Sequence, residues 1–202
     1  MEKNKLEELR ELLIIVDMVN GFVREGALHD EKIASTIEEQ LKAIDDFLKK
    51  EEGIAFIKDC HEKDSTEFKR FPPHCLKGTS EAELVDELKP FEKSSLIYPK
   101  NSTSAIFAPH FLEDINSMKH LKKVVIEGCC TDICVMNLAI PLKNYFDQEN
   151  REVEIVIPKD AVATFDSPVH SQEEYSDMAF PLLEQAGIKL VKTYERGKKN
   201  GK

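Results

Sequence analysis

The chain is expected to fold as an α/β protein, a three-layer α/β/α sandwich around a central, mostly parallel sheet. Two observations lead there. Short apolar runs recur along the 202 residues, and stretches of helical period separate them. Strands that alternate with helices pair in parallel, and such strands are apolar on both faces. Residues 12–16 (LLIIV) are the first such run. Residues 31–49 follow as an amphipathic helix, with Ile33, Ile37, Leu41, Ile44 and Leu48 spaced by three and four. Residues 54–57 (IAFI) read as the second strand.

A loop rich in charge and proline comes next, then a short helix expected around 81–88 and a third strand near 96–98. Residues 124–126 are the fourth strand. Residues 131–146 are expected to be helical, with Thr131 as the N-cap and with a kink or split at Pro141, which lacks a backbone donor. A fifth strand over 153–157 precedes a helix over 172–186, which holds Pro181 and is closed by Gly187. A last strand covers 188–191. No repeat or linker divides the chain, so one domain over 1–195 is expected, followed by a flexible basic tail over 196–202.

Composition narrows the function classes. The balance of 41% hydrophobic and 33% charged residues is that of a soluble globular domain. A net charge of -10 argues against nucleic acid as a partner, because neutralising phosphates needs a basic face. The N-terminus is charged, without the apolar run of a signal peptide, and no stretch is long and apolar enough to span a membrane. Five cysteines in no framework spacing read as reduced thiols, and the cytoplasm is the expected compartment. No glycine fingerprint follows a strand, which disfavours a dinucleotide-binding oxidoreductase.

Ligands of an open parallel sheet bind outside the carboxyl ends of its strands. Here the first strand ends in Asp17, and the second leads to Asp59 with His61 two residues on. Lys100 lies just past the third. The fourth ends near Gly128, followed by Cys129, Cys130 and, one helical turn in, Cys134. An acid, a base, a thiol and a metal-type cluster thus share one edge. Cys134 near a helix start would feel free N–H groups and the positive end of the dipole, which lower a thiol pKa and stabilise an oxyanion. A cysteine that only packs is the other reading open at this point. Asp59-x-His61 with His74 suits a divalent cation that keeps an open coordination position, whereas Cys60 and Cys75 lack the paired spacing of a structural zinc site.

Four segments carry a family resemblance: LIIVDMVNGF (13–22), KDCHEKDSTEFKRFPPHCLKGTSEAEL (58–84), PKNSTSAIF (99–107) and VVIEGCCTDICVMNLA (124–139). They resemble the isochorismatase-like cysteine hydrolases, a Rossmann-like family, and within them the nicotinamidases. The resemblance implies an amidohydrolase acting on a small-molecule amide, nicotinamide, in NAD salvage, with Asp17, Lys100 and Cys134 as the catalytic residues. Pyrazinamide should be cleaved as well. The implied oxyanion donors are the backbone N–H groups of Cys130 and Cys134, with a cis peptide between Cys129 and Cys130. The implied metal ligands are Asp59, His61 and His74, with Glu67 as a fourth and Asp64 as its rival. Zinc leads, and iron or manganese also fit this N/O donor set. Phe22 and Phe71 are expected to sandwich the substrate ring, and a homo-oligomer without nucleic-acid or membrane partners is implied.

Three departures stand out: Gly21 replaces an aspartate, Thr103 an aromatic residue, and Cys130 a small apolar one. Thr103 changes the pocket wall, which leaves open a sister amidohydrolase acting on another small amide. A vinyl-ether hydrolase is disfavoured, because that reaction has no need of this cysteine or of the metal loop.

Overall fold

The computed structural model describes residues 6–195. The expected tail over 196–202 lies outside the described residues. Strands β1 (Glu11–Val16), β2 (Gly53–Asp59), β3 (Leu96–Lys100), β4 (Lys123–Cys129), β5 (Glu154–Pro158), β6 (Val162–Ala163) and β7 (Lys189–Val191) form one sheet. Its order is β3-β2-β1-β4-β5-β7, and every strand pairing is parallel. From β1 the chain winds outward to β2 and β3, then returns to the other side of β1 for β4. The switch point of this doubly wound sheet therefore lies between β1 and β4.

Residues Leu12 to Val16 of β1 are sealed from solvent, and their side chains alternate between two cores. Leu12, Ile14 and Val16 pack on one face with Phe111 of α3 (Phe111–Ser117), Leu138 and Phe146 of α4 (Met136–Gln148), and Leu183 of α5 (Gln172–Gln185). Leu13 and Ile15 pack on the other with Val23 of the single turn α1 (Asn20–Val23) and Ile44 and Phe47 of α2 (Ile37–Lys50). Both faces are covered, which is why the strands read as unbroken apolar runs. Pro99 sits in β3, the edge strand, where a missing N–H is tolerated.

Several local expectations need correction. The helix expected over 31–49 begins as a 3-10 segment, Glu31–Thr36, before α2. The Asp30 side chain accepts from the Lys32 N–H at 2.9 Å, and the Thr36 hydroxyl donates to the Ile33 carbonyl at 2.8 Å; such local bonds tighten a turn. The helix expected around 81–88 shrinks to one 3-10 turn, Ser80–Ala82. Leu84 forms an antiparallel bridge with Val19 instead, and Val85 N–H donates to the Met18 carbonyl at 3.1 Å. Main-chain pairing with a distant segment has replaced the intrahelical bonds.

Thr131 is not the N-cap. Cys130 takes that place, and Thr131 opens a π-type segment, Thr131–Val135, with its side chain buried. The Cys130 carbonyl accepts from Ile133 N–H at 3.1 Å and Val135 N–H at 3.0 Å. Cys134 is therefore the fourth residue of this turn. The helical path does divide, but at Met136 rather than at Pro141, which lies inside α4. The carbonyl four residues before that proline, Asn137, accepts from the Ser104 hydroxyl at 2.7 Å, so the bond that Pro141 removes is replaced from a neighbouring loop.

Candidate active site

The carboxyl ends of the two central strands approach each other closely. Gly128 adopts φ +115°, and a Cβ there would stand 2.1 Å from the Val16 carbonyl oxygen, so only glycine fits. This brings Asp17 beside Cys129, whose thiol donates to the Asp17 carbonyl at 3.2 Å. Asp17 itself is left-handed, φ +52°, and its N–H donates to the Ile57 carbonyl at 3.0 Å. The peptide bond between Cys129 and Cys130 is cis.

One ammonium group joins the acids to the sulfur. Lys100, at the end of β3, places Nζ 2.8 Å from Asp17 Oδ2, 2.6 Å from Asp59 Oδ1 and 3.7 Å from Cys134 Sγ. All four residues are buried. Burial works against the lysine charge, but Asp17 and Asp59 outweigh it and hold the ammonium above its ordinary range. Burial pushes the Asp17 carboxyl up to about 6; Lys100 opposes this and Asp59 adds to it. The lowered thiol pKa expected from the helix start is not found: burial pushes the Cys134 thiol well up, against the pull of Lys100. The resting sulfur is thus a thiol, beside a carboxylate placed to take its proton and an ammonium able to stabilise the resulting anion.

Asp59 also faces the two imidazoles. Its Oδ2 lies 2.8 Å from His61 Nε2 and 3.1 Å from His74 Nε2. The opposite ring nitrogens face acceptors. His61 Nδ1 is 3.0 Å from Asn101 Oδ1, which also accepts from the Glu62 N–H at 3.2 Å. His74 Nδ1 is 2.8 Å from the Pro72 carbonyl. These acceptors assign the ring protons to Nδ1 and leave both Nε2 lone pairs aimed at the carboxylate. Lone pair against lone pair is repulsive unless a cation lies among them, and Asp59 Oδ2 and His61 Nε2 are buried without a hydrogen-bond partner. The three donor atoms lie within 4.8 Å of one another, so the donor set fits a divalent metal ion. Burial pushes the Asp59 carboxyl up, but the Lys100 ammonium opposes this, and the carboxyl lies below the usual carboxylate range.

A cavity of about 320 Å³ opens onto the thiol and the metal-type cluster. Phe22, Phe71, Thr103, Ile133 and Phe165 line it together with Cys130 and Cys134. The ring centroids of Phe22 and Phe71 lie 5.6 Å and 6.3 Å from that of His74.

A family model described as an isochorismatase domain matches residues 11–195. The chain belongs to the isochorismatase family. It is 30% identical to nicotinamidase 1 of Arabidopsis thaliana over 89% of this chain and 81% of that protein. The nicotinamidase PncA structure from Bacillus subtilis superposes with a TM-score of 0.74 at 27% identity, covering 91% of this chain and 99% of that one. The N-carbamoylsarcosine amidase structure from Thermoplasma acidophilum has a TM-score of 0.76 at 23% identity, covering 93% and 98%, and shares the fold.

Within this isochorismatase-family chain the expected site residues converge, with graded exceptions. Asp17, Lys100 and Cys134 meet directly, and Asp59, His61 and His74 form one cluster. Glu67 is buried on the cavity wall but is not one of the three clustered donors, whereas its rival Asp64 is exposed. Phe22, Phe71 and Thr103 line the cavity. Gly21 has a packing reason: a Cβ there would stand 2.5 Å from Cys75 Sγ. Two residues of the site were not expected from the sequence: Asn101, which orients His61, and Phe68, whose ring lies 5.2 Å from His61 and 5.6 Å from His74. Asn101 directly follows Lys100, and that adjacency was the available signal. Phe165, Ile133 and the strand β6 had none. Among the described residues no helix is long and apolar enough to cross a membrane.

Proposed function

We propose that this isochorismatase-family chain is a metal-dependent cysteine amidohydrolase that converts nicotinamide to nicotinate and ammonia, a step of NAD salvage, through a thioester on Cys134. The observation that carries the reading is the single ammonium of Lys100 touching Asp17, Asp59 and Cys134 at once. The identity to a nicotinamidase over most of both chains supports the choice of amide.

Asp17 takes the Cys134 proton, and the thiolate forms beside Lys100. The sulfur attacks the amide carbonyl carbon, and the backbone N–H groups of Cys130 and Cys134 hold the oxyanion. Asp17 returns its proton to the departing nitrogen, which leaves as ammonia when the carbon–nitrogen bond breaks. Asp17 then deprotonates a water that attacks the thioester, giving the carboxylic acid and the free thiol. Asp59, His61 and His74 would hold the divalent ion, with Glu67 facing the same cavity. When bound, such an ion supplies a Lewis acid that a heteroaromatic ring nitrogen can approach. Zinc suits the donors best, with iron and manganese as alternatives. Phe22 and Phe71 flank the ring and hold it in line with the sulfur.

Ammonia release measured across nicotinamide, pyrazinamide and carbamoyl compounds tests the reading. Turnover of the first two, lost in Cys134→Ala, is expected. Thr103 on the cavity wall favours a second reading, a sister enzyme for another small amide. Turnover of a carbamoyl compound without nicotinamide would select that one.

A further inference from the structure

Asp132 and His170 take no part in the chemistry above, yet they meet beside the thiol. Asp132 lies two residues before Cys134 in the turn Thr131–Val135. Its Oδ2 is 2.9 Å from His170 Nε2. The other ring nitrogen of His170, Nδ1, is 3.0 Å from the carbonyl oxygen of Phe165. The imidazole thus reaches across 38 residues of sequence to the thiol turn with one nitrogen, and to its own segment with the other.

The ring is also held on both faces. Phe165 stacks on one side, with centroids 3.9 Å apart and planes at 12°, and Tyr175 of α5 on the other, at 3.7 Å and 26°. The segment turns tightly between these contacts. Ser167 N–H donates to the His170 carbonyl at 2.9 Å, and His170 N–H donates to the Ser167 carbonyl at 3.1 Å. His170 is buried although its neighbours Pro168 and Val169 are exposed. On its far side the segment is fastened to the loop after α1. Asp30 accepts from Asp166 N–H at 2.8 Å, and Asp166 pairs with Lys32 at 2.7 Å.

Phe165 is therefore fixed through its ring and its carbonyl by one histidine, and it lines the same cavity as Cys134. We infer that Asp132 and His170 are a positioning pair: they set where Phe165 stands as a wall of the amide pocket and tie that wall to the turn carrying Cys134. The consequence is selection for flat ring amides, because a planar wall at a set distance from the sulfur accepts a planar ring. The inference rests on the amidohydrolase reading for its substrate class, and on the side-chain geometry alone for the wall. Neither residue touches the reacting atoms, so their loss should act on binding rather than on the chemical step.

The test compares His170→Ala, Asp132→Ala and the double variant with the wild type, all loaded with metal. Two readouts are taken: kcat and KM on the carboxamide that the wild type hydrolyses, and the rate at which Cys134 reacts with 2,2′-dipyridyl disulfide relative to iodoacetamide. Each single variant should raise KM about tenfold with kcat within about threefold. The flat pyridyl reagent should lose about fivefold against the small one, and the double variant should be no worse than either single, as for two halves of one contact. A folded His170→Ala with unchanged KM and unchanged reagent ratio overturns the inference. So does a fall in kcat at constant KM, which would mark damage to the thiol turn. If His170→Ala does not fold, the same ratio read on Asp132→Asn decides, and no change there overturns the inference. A wild type that hydrolyses no carboxamide, but whose reagent ratio still drops in the variants, would sink the amide reading and leave the wall assignment standing.

Discussion

Lys100 and Glu127 are both sealed in the sheet, at 2% and 0% exposure, and they experience burial in opposite ways. Lys100 ends β3 facing Asp17, Asp59 and the Cys134 sulfur, and it holds its charge more firmly than a lysine in water. Glu127 lies within β4, two residues before Cys129, and neither of its oxygens has a hydrogen-bond partner among the described residues. Burial pushes its carboxyl well above the ordinary range, and the nearby Asp160 and Glu39 push the same way. Removal from water alone neutralises a group; removal together with opposite charges preserves it. The chemistry of this fold therefore belongs where strand ends bring charges together, one or two residues beyond the apolar runs, and not in the middle of the strands.

The largest effect that would break this contrast is on the lysine. Lys100→Met leaves two carboxylates buried without their cation. It should lower kcat/KM about 10³-fold and destabilise the chain by about 3–5 kcal/mol, read from steady-state kinetics and urea unfolding. A stable, active Lys100→Met would mean that the ion cluster is decoration. Next comes the metal. Dialysis against a chelator should abolish amide turnover and, for an ion at about a hundredfold excess over its Kd, lower the Tm by about 5–10 °C, both reversed by adding zinc. An unchanged melting curve would show that the Asp59 cluster binds no ion.

Acidity gives a smaller, graded effect. Asp17 is a carboxyl with a raised pKa, so below about 6 it is protonated and cannot accept the thiol proton. The kcat/KM profile should fall about tenfold per pH unit on that side, and a flat profile down to pH 5 would remove Asp17 as the base. Glu127→Gln should be mildest, with activity within about twofold of wild type. Its sign follows from linkage: the native state holds the Glu127 proton more tightly than the unfolded chain does. The stability this brings is complete below the ordinary value of 4.5 and is lost as pH rises from there toward the native value. Against wild type, the glutamine variant should be level near pH 4 and gain up to about 1.4 kcal/mol per pH unit above 4.5. A gain that does not grow with pH would mean that Glu127 has a partner in solution.

Much of this arrangement was legible in residue order. Apolar runs give way near Asp17, Asp59 and Lys100 because a parallel strand buried on both faces favours apolar side chains until it leaves the sheet, with Glu127 the exception inside β4. The parts that were misread share a cause. The segment after Glu81 has helical composition, but its carbonyls and N–H groups pair with Met18 and Asn20, some 60 residues away. Thr131 has the chemistry of an N-cap, yet Cys130 takes that place at the end of β4. Glu67 and Asp64 are equivalent as carboxylates in a charged loop, and only packing buries one and exposes the other.

Local pattern was therefore enough for the six longer strands and the three long helices, and for which reactive groups leave the sheet at one edge, but not for the short elements Asn20–Val23, Phe111–Ser117 and β6. Periodicity and chain order carry that information because neighbours along a strand or helix are neighbours in space. Distances between loops follow no such period. Both Nε2 lone pairs on one oxygen of Asp59, Asn101 behind His61, and Asp132 against His170 arise from segments about 15 to 40 residues apart, and they came into view only when all the layers had packed.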